Sequence, residues 1–146
     1  MSINCIRTLI EDANVSNPDK IALVFGNEKL TYRELFTKVN QIAYYLAELD
    51  LPKGSRIGLY SNKRIDQVIA ILAILSTDYV LVPLTKLLKA EQVEYIINDC
   101  DIKCIITDKI KLESIEEIKF DGHIISYETS HKDLPSFEEI YKYYNK

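Results

Sequence analysis

Glycine is scarce in this chain of 146 residues, which holds only four, under half of the usual share of about 7%. Loops that cradle phosphate are built from glycine, because the backbone must approach the ligand closely. A complete nucleotide site is therefore hard to place here. Tryptophan is absent and the three cysteines are too few for a disulfide scaffold. No long hydrophobic run exists. The most apolar stretch, Val68 to Leu75, is eight residues long and lies between Asp66 and Asp78, too short to cross a bilayer. An excess of positive charge is missing as well. Eighteen basic residues face 22 acidic ones, for a net charge of −4, and the cations form no stripe. That excludes nucleic-acid binding as a main activity. The start, Met1 to Arg7, has no basic segment followed by an apolar core, so no signal peptide is expected. Cytoplasmic residence follows as the default expectation, and free thiols fit it.

What remains is the composition of an ordinary soluble globule, 47% hydrophobic and 27% charged, long enough for one domain with a real core. Its pattern alternates between strands and helices. Residues 4–15 read as a helix with Ile6, Leu9, Ile10 and Ala13 on one face, ended by Pro18. Residues 21–31 read as a hairpin turning at Gly26-Asn27. Thr31-Tyr32-Arg33-Glu34 fits a capping box, in which Thr31 accepts from the Glu34 amide and Glu34 reaches back to the Thr31 amide. The helix it opens runs to about Asp50, with Leu35, Val39, Ile42, Leu46 and Leu49 as its apolar stripe, and Pro52 and Gly54 end it. Arg56 to Tyr60 is a strand, Ile65 to Leu75 a well-covered helix, and Tyr79 to Val82 a strand closed by Pro83. Lys89 to Cys100 is a helix with Val93, Ile96 and Ile97 inward, and Lys103 to Thr107 a strand. Residues 109–118 are either a weak helix or a loop. His123 to Tyr127 is a strand, and Ser136 to Tyr144 a final amphipathic helix. This order implies an α/β fold of three layers, with a mainly parallel sheet between helices. Residues 1–130 are expected to form that unit, and 131–146 a helix or linker leading toward further segments.

The residues that could carry chemistry do not assemble into a complete site. Gly54 and Gly58 bracket the start of a strand, whereas a phosphate loop places its glycines between a strand and the next helix. Ser61-Asn62-Lys63-Arg64 does lie between a strand and a helix, where α/β proteins bind anions. It reads either as an anion site or as a plain helix cap, from Ser61 or Asn62, beside two solvated cations. Cys100 and Cys104 make a poor metal pair without further ligands nearby. With Cys5 they read as buried or half-buried thiols. His123 and His131 stand beside no nucleophile motif. Glu116-Glu117 and Glu138-Glu139 read as solvated helix faces. Tyr141, Tyr143 and Tyr144 suit either a packing helix or a docking surface. No catalytic, cofactor-binding or metal residue is assigned from these patterns.

Taken as an ordered set, several segments resemble the adenylate-forming enzymes: acyl-CoA and aryl-CoA ligases, luciferases and the adenylation domains of peptide synthetases. Leu30 to Leu35 (LTYREL) is similar to that family's first core motif, and Pro18 to Leu23 (PDKIAL) to the strand before it. Leu51 to Leu59 (LPKGSRIGL) and Ala70 to Leu84 follow in the family order. Residues 86–107 look most like acyl-CoA ligases. The resemblance covers about residues 5–110 and implies the N-terminal subdomain of the adenylate-forming ligase fold. One departure lies within it. Ser76-Thr77-Asp78 stands where the family has Lys-Ala-Gly, which costs the glycine of a helix-to-strand turn and suggests altered packing. The larger departure is that the family's Thr/Ser/Gly-rich phosphate loop, its ribose-binding aspartate, its adenine-stacking aromatic and the lysine of its mobile domain have no counterpart here.

The resemblance thus implies an N-terminal piece of an acyl-CoA ligase-like enzyme, in which a carboxylate and ATP give acyl-AMP and a thiol then takes the acyl group. ATP, magnesium and CoA are implied for a complete family member and none for this chain, which is expected to be inactive alone. Its partner would be the remainder of the ligase or a second copy, through an exposed apolar patch. The alternatives are a non-catalytic interaction module that keeps the fold, and a small nucleotide binder using Ser61 to Arg64.

Overall fold

The computed structural model describes residues 5–130 and 133–145. Helix α1 (Ile6–Ser16) leads to a hairpin of β1 (Ile21–Phe25) and β2 (Glu28–Thr31). Gly26, at φ +58°, turns the hairpin in a left-handed conformation that costs glycine little. Helix α2 (Tyr32–Glu48) begins with the expected capping box. The Glu34 amide donates to Thr31 Oγ1 at 3.2 Å and the Thr31 amide donates to Glu34 Oε2 at 2.8 Å. Those bonds hold the Glu34 carboxyl below its usual pKa. Leu35, Val39, Ile42 and Leu46 are buried as the stripe requires. The helix stops at Glu48, and Asp50 turns the chain at φ +50° before Pro52 and Gly54 are reached. The end falls two residues before the expected Asp50, which itself takes the left-handed conformation that ends the helix.

The remainder is β3 (Arg56–Tyr60), α3 (Ile65–Leu75), β4 (Val80–Leu84), α4 (Ala90–Asp99), β5 (Ile102–Thr107), α5 (Lys109–Glu116), β6 (His123–Ser126) and α6 (Phe137–Tyr144). The four strands pair in parallel in the order β4-β3-β5-β6. Ile57 and Leu59 of β3, with Cys104 and Ile106 of β5, lie in one core with α2, α3 and α6. Tyr60, Ile102 and Ile105 lie in a second core with Val93 and Ile97 of α4 and Ile115 of α5. This is the expected three-layer arrangement. The connection through α3 runs on one face and that through α4 on the other while the strand order reverses, which gives both crossovers one hand. Ile102 and Cys104 sit two apart yet face opposite cores. The register shift between β3 and β5 at this point supplies the extra residue, as a bulge does.

One expectation needs correction, at Pro83, and three others become specific. No residue of α1 is buried, and Leu9 is 54% exposed, because the helix lies at the periphery against α2 and α3. Pro83 does not close a strand but sits inside β4, which is tolerated because β4 is an edge strand and needs no donor on its open side. Residues 109–116 are helical, capped by Asp108. The altered turn at Ser76-Thr77-Asp78 is bonded by side-chain hydroxyls. Ser76 Oγ donates to the Leu72 carbonyl at 2.7 Å, and Thr77 Oγ1 to the Ile74 carbonyl at 2.6 Å while accepting from the Tyr79 amide at 3.1 Å. Hydroxyls satisfy the helix end there, so no glycine is required.

Candidate functional site

In open parallel sheets ligands bind beyond the carboxyl ends of the strands, at the point where the strand order reverses. Here that point lies between β3 and β5, so the residues following Tyr60 and Thr107 form the place to inspect. Asp108, 3% exposed, fills it. Its Oδ2 accepts from the Asn62 amide at 2.6 Å and from Asn62 Nδ2 at 3.0 Å, and its Oδ1 accepts from the Lys111 amide at 2.8 Å. One carboxylate thus ties the β3–α3 loop to the N-terminus of α5, where the helix dipole also favours it. Thr107 Oγ1 donates to the Tyr60 carbonyl at 2.7 Å. Ser61 Oγ and the Tyr127 hydroxyl share a bond of 2.9 Å, both buried. Burial raises the Tyr127 phenol well above its usual pKa, against the lowering pull of Ser61.

Arg64 closes the side of this network. It pairs with Asp66 at 2.6 Å and with Glu128, and lies 5.3 Å from the Tyr127 ring centroid. Glu128 also accepts from the Lys109 amide at 3.0 Å. Burial disfavours the Arg64 charge, but the two carboxylates outweigh it and hold the guanidinium more firmly protonated. Burial raises the Asp66 carboxyl, and Arg64 offsets only part of that.

The reading of Ser61 to Arg64 as a helix cap beside two solvated cations is thereby corrected. Neither Ser61 nor Asn62 caps α3; the N-cap position is Arg64, without a side-chain cap bond. Arg64 is not a solvated cation, since two carboxylates neutralise it. An incoming anion would find the Asn62 amide already donated. Only Lys63 is exposed. It lines a neighbouring cleft of about 380 Å³ between the ends of β3 and β4, with Ser61, Gln67, Thr85 and Lys86. That cleft could take one phosphate-sized anion, but the described residues form no cradle for a triphosphate.

The other candidates stay apart. Gly54, at φ +80°, donates its amide to the Asp78 carbonyl at 2.9 Å at the opposite end of the sheet. Gly58 is a packing position, because a Cβ there would stand 3.2 Å from Ile102 Cδ1. Cys5 is exposed rather than buried, Cys100 is half-buried, and Cys104 is buried, which pushes its thiol up to about 12. No cluster of metal-ligating residues occurs among the described residues. His123 opens β6 and is exposed, while His131 lies outside the described residues. No helix is long and apolar enough to cross a membrane among those described. Sequence reasoning missed Asp108, Tyr127 and Glu128. An aspartate between a strand and a helix is a cap signal and could have revealed the first. Nothing local marks the other two.

Comparisons with known proteins agree with the geometry. Residues 10–143 match the family described as AMP-binding enzyme. Gramicidin S synthase 1 of Brevibacillus brevis is 33% identical over 123 residues, which is 84% of this chain and 11% of that protein. A medium/long-chain-fatty-acid–CoA/3-oxocholest-4-en-26-oate–CoA ligase of Mycobacterium marinum is 32% identical over 104 residues, 71% of this chain and 19% of that one. The chain therefore spans well under a quarter of the length of these relatives. Among solved structures, the anthranilate CoA ligase AuaEII superposes with a TM-score of 0.86 at 23% identity, covering 95% of this chain and 28% of the ligase. The N-terminal subdomain of Klebsiella oxytoca NpsA superposes with a TM-score of 0.74 at 19% identity, over 94% of this chain and 32% of that one. This chain belongs to the AMP-binding enzyme family, and its fold is that of the N-terminal subdomain of adenylate-forming ligases.

Proposed function

We propose that the chain is the N-terminal part of an AMP-forming acyl-CoA ligase-like enzyme and supplies scaffold rather than reacting groups. The complete enzyme would convert a carboxylate and ATP to acyl-AMP and then to a thioester. The observation that carries this reading is the Asp108 network. It spends the amide and the charge that an anion would need on holding β3, β5 and β6 together. ATP, magnesium and CoA would be held mainly by other parts of the ligase. At most the Lys63–Lys86 cleft would meet one anionic group of a ligand held elsewhere. The acyl-CoA branch is favoured by residues 86–107 over the peptide-synthetase branch. The folded unit takes in α6 as well, whose Phe137 and Ile140 are buried in the core with α2 and α3. The setting is the cytoplasm, where its thiols stay reduced.

A non-catalytic docking module is the second reading, favoured by the exposed Tyr143 on α6 and the exposed Val24 and Phe25 on β1. ATP–pyrophosphate exchange with a panel of carboxylic acids separates the two. The chain alone should show none, and exchange should return when the polypeptide encoded directly downstream is added. Exchange by the chain alone would contradict the scaffold reading. No exchange with that polypeptide, or no frame for a phosphate loop downstream, would favour the module.

A further inference from the structure

The terminal helix α6 lies against α2, and the two leave a cleft of about 400 Å³ lined by Tyr45, Glu48, Pro135, Glu139, Ile140 and Tyr143. This cleft shares no residue with the network around Asp108. We propose that it receives the side chain of an arginine presented by a protein partner.

Its chemistry points to a cation with an apolar stem. Ile140 and Pro135 supply an apolar floor, Tyr45 and Tyr143 two aromatic walls, and Glu48 and Glu139 two carboxylates. Neither glutamate is in an ion pair among the described residues. Glu139 uses Oε2 to accept from the Ser136 amide at 3.1 Å and from Ser136 Oγ at 3.0 Å. Its Oε1 takes no hydrogen bond from the described residues. Both carboxylates line this one cleft, Glu48 from α2 and Glu139 from α6. Negative charge from two helices thus falls on one aromatic-walled cleft that holds no positive charge. The same helix pair already shows the complementary contact within the chain. Lys38 Nζ, on α2, stands 3.8 Å from the centroid of the Tyr141 ring on α6.

Arginine suits the cleft better than lysine does. Its flat guanidinium can stack on a tyrosine face while its edge donates to a carboxylate, and its stem covers apolar surface. The cleft lies open between two exposed helix faces, and Tyr143 is 65% exposed. A side chain carried by another polypeptide can therefore enter it without any rearrangement of the core.

The test is a heteronuclear NMR titration of the full chain with capped Gly-Arg-Gly, and with the same peptide carrying citrulline, which keeps the shape and removes the charge. Saturable shifts confined to the second half of α2 and to α6 are expected with the arginine peptide. The citrulline peptide should bind at least tenfold more weakly. Glu48→Gln with Glu139→Gln should weaken the arginine peptide by a similar factor, and glutamine can still serve the Ser136 cap. Tyr143→Leu, at an exposed position, should weaken it at least threefold. No saturation at 20 mM peptide, equal binding of citrulline, or unchanged binding by the variants would each overturn the proposal.

Discussion

The carboxyl edge of the sheet has two neighbouring crevices, and they differ in kind. The one between β3 and β5 is where the strand order reverses, yet it is filled by Asp108, Asn62, Ser61 and Tyr127, which bond to one another. The one between β3 and β4 is open, with Lys63 and Lys86 at its rim. Topology alone would nominate the first crevice as the ligand site. The side chains hand that role away, because the Asn62 amide, its Nδ2 and the Arg64 guanidinium already serve carboxylates of this chain. In this chain the reversal point is a joint, and whatever ligand contact the edge makes falls beside it.

The comparison can be broken by loading its two sides unequally. Removing the joint should cost most. Asp108→Ala orphans three N–H donors, one of them in the N-cap bond of α5, and should cost about 3 kcal/mol, read as a lower urea midpoint at unchanged slope. A loss under about 1 kcal/mol would mean that Asp108 does not hold the crevice shut. The interior under the joint comes next. The Cys104 thiol titrates at about 12 in the folded chain against an ordinary 9. A raised pKa means stability fully present below pH 9 and lost as the pH climbs toward 12. At pH 10.5 that loss should be about 2 kcal/mol. Cys104→Ala should reduce the alkaline slope, the buried tyrosines Tyr127 and Tyr141 carrying the remainder, and an unchanged slope would show that water reaches the thiol. Tyr127→Phe should cost about 1 kcal/mol, since Ser61 Oγ then keeps only its 3.4 Å contact with Gln67. On the open side, Lys63→Ala and Lys86→Ala should each change stability by under about 0.5 kcal/mol. A larger loss would mean that the open cleft is also a structural joint.

Much of the fold was legible in the sequence, and the reasons are local. The Thr31–Glu34 box, the α2 stripe and the alternation of short β-rich runs with helices all depend on neighbours within a few residues. The parallel sheet followed from their order. What could not be read were the places where tertiary context decides. Leu9 and Ile6 form an apolar face, but no layer lies over α1 to bury it. Pro83 looks like a strand terminator until β4 is known to be an edge. At Ser76-Thr77-Asp78 the sequence displays the missing glycine but not the hydroxyl bonds that replace it. The candidate site was half legible. Ser61 to Arg64 was found from its position between a strand and a helix. Its state depends on Asp108 and Glu128, which lie 46 and 64 residues away along the chain from Asn62 and Arg64.

The central claim is that the crevice between β3 and β5 is a structural joint with no capacity for a nucleotide. Titrating ATP with magnesium into the isotopically labelled chain tests it directly. No site-specific shift of the Asn62 or Asp108 amides is predicted through millimolar ligand. A saturable shift at those two amides would contradict the account.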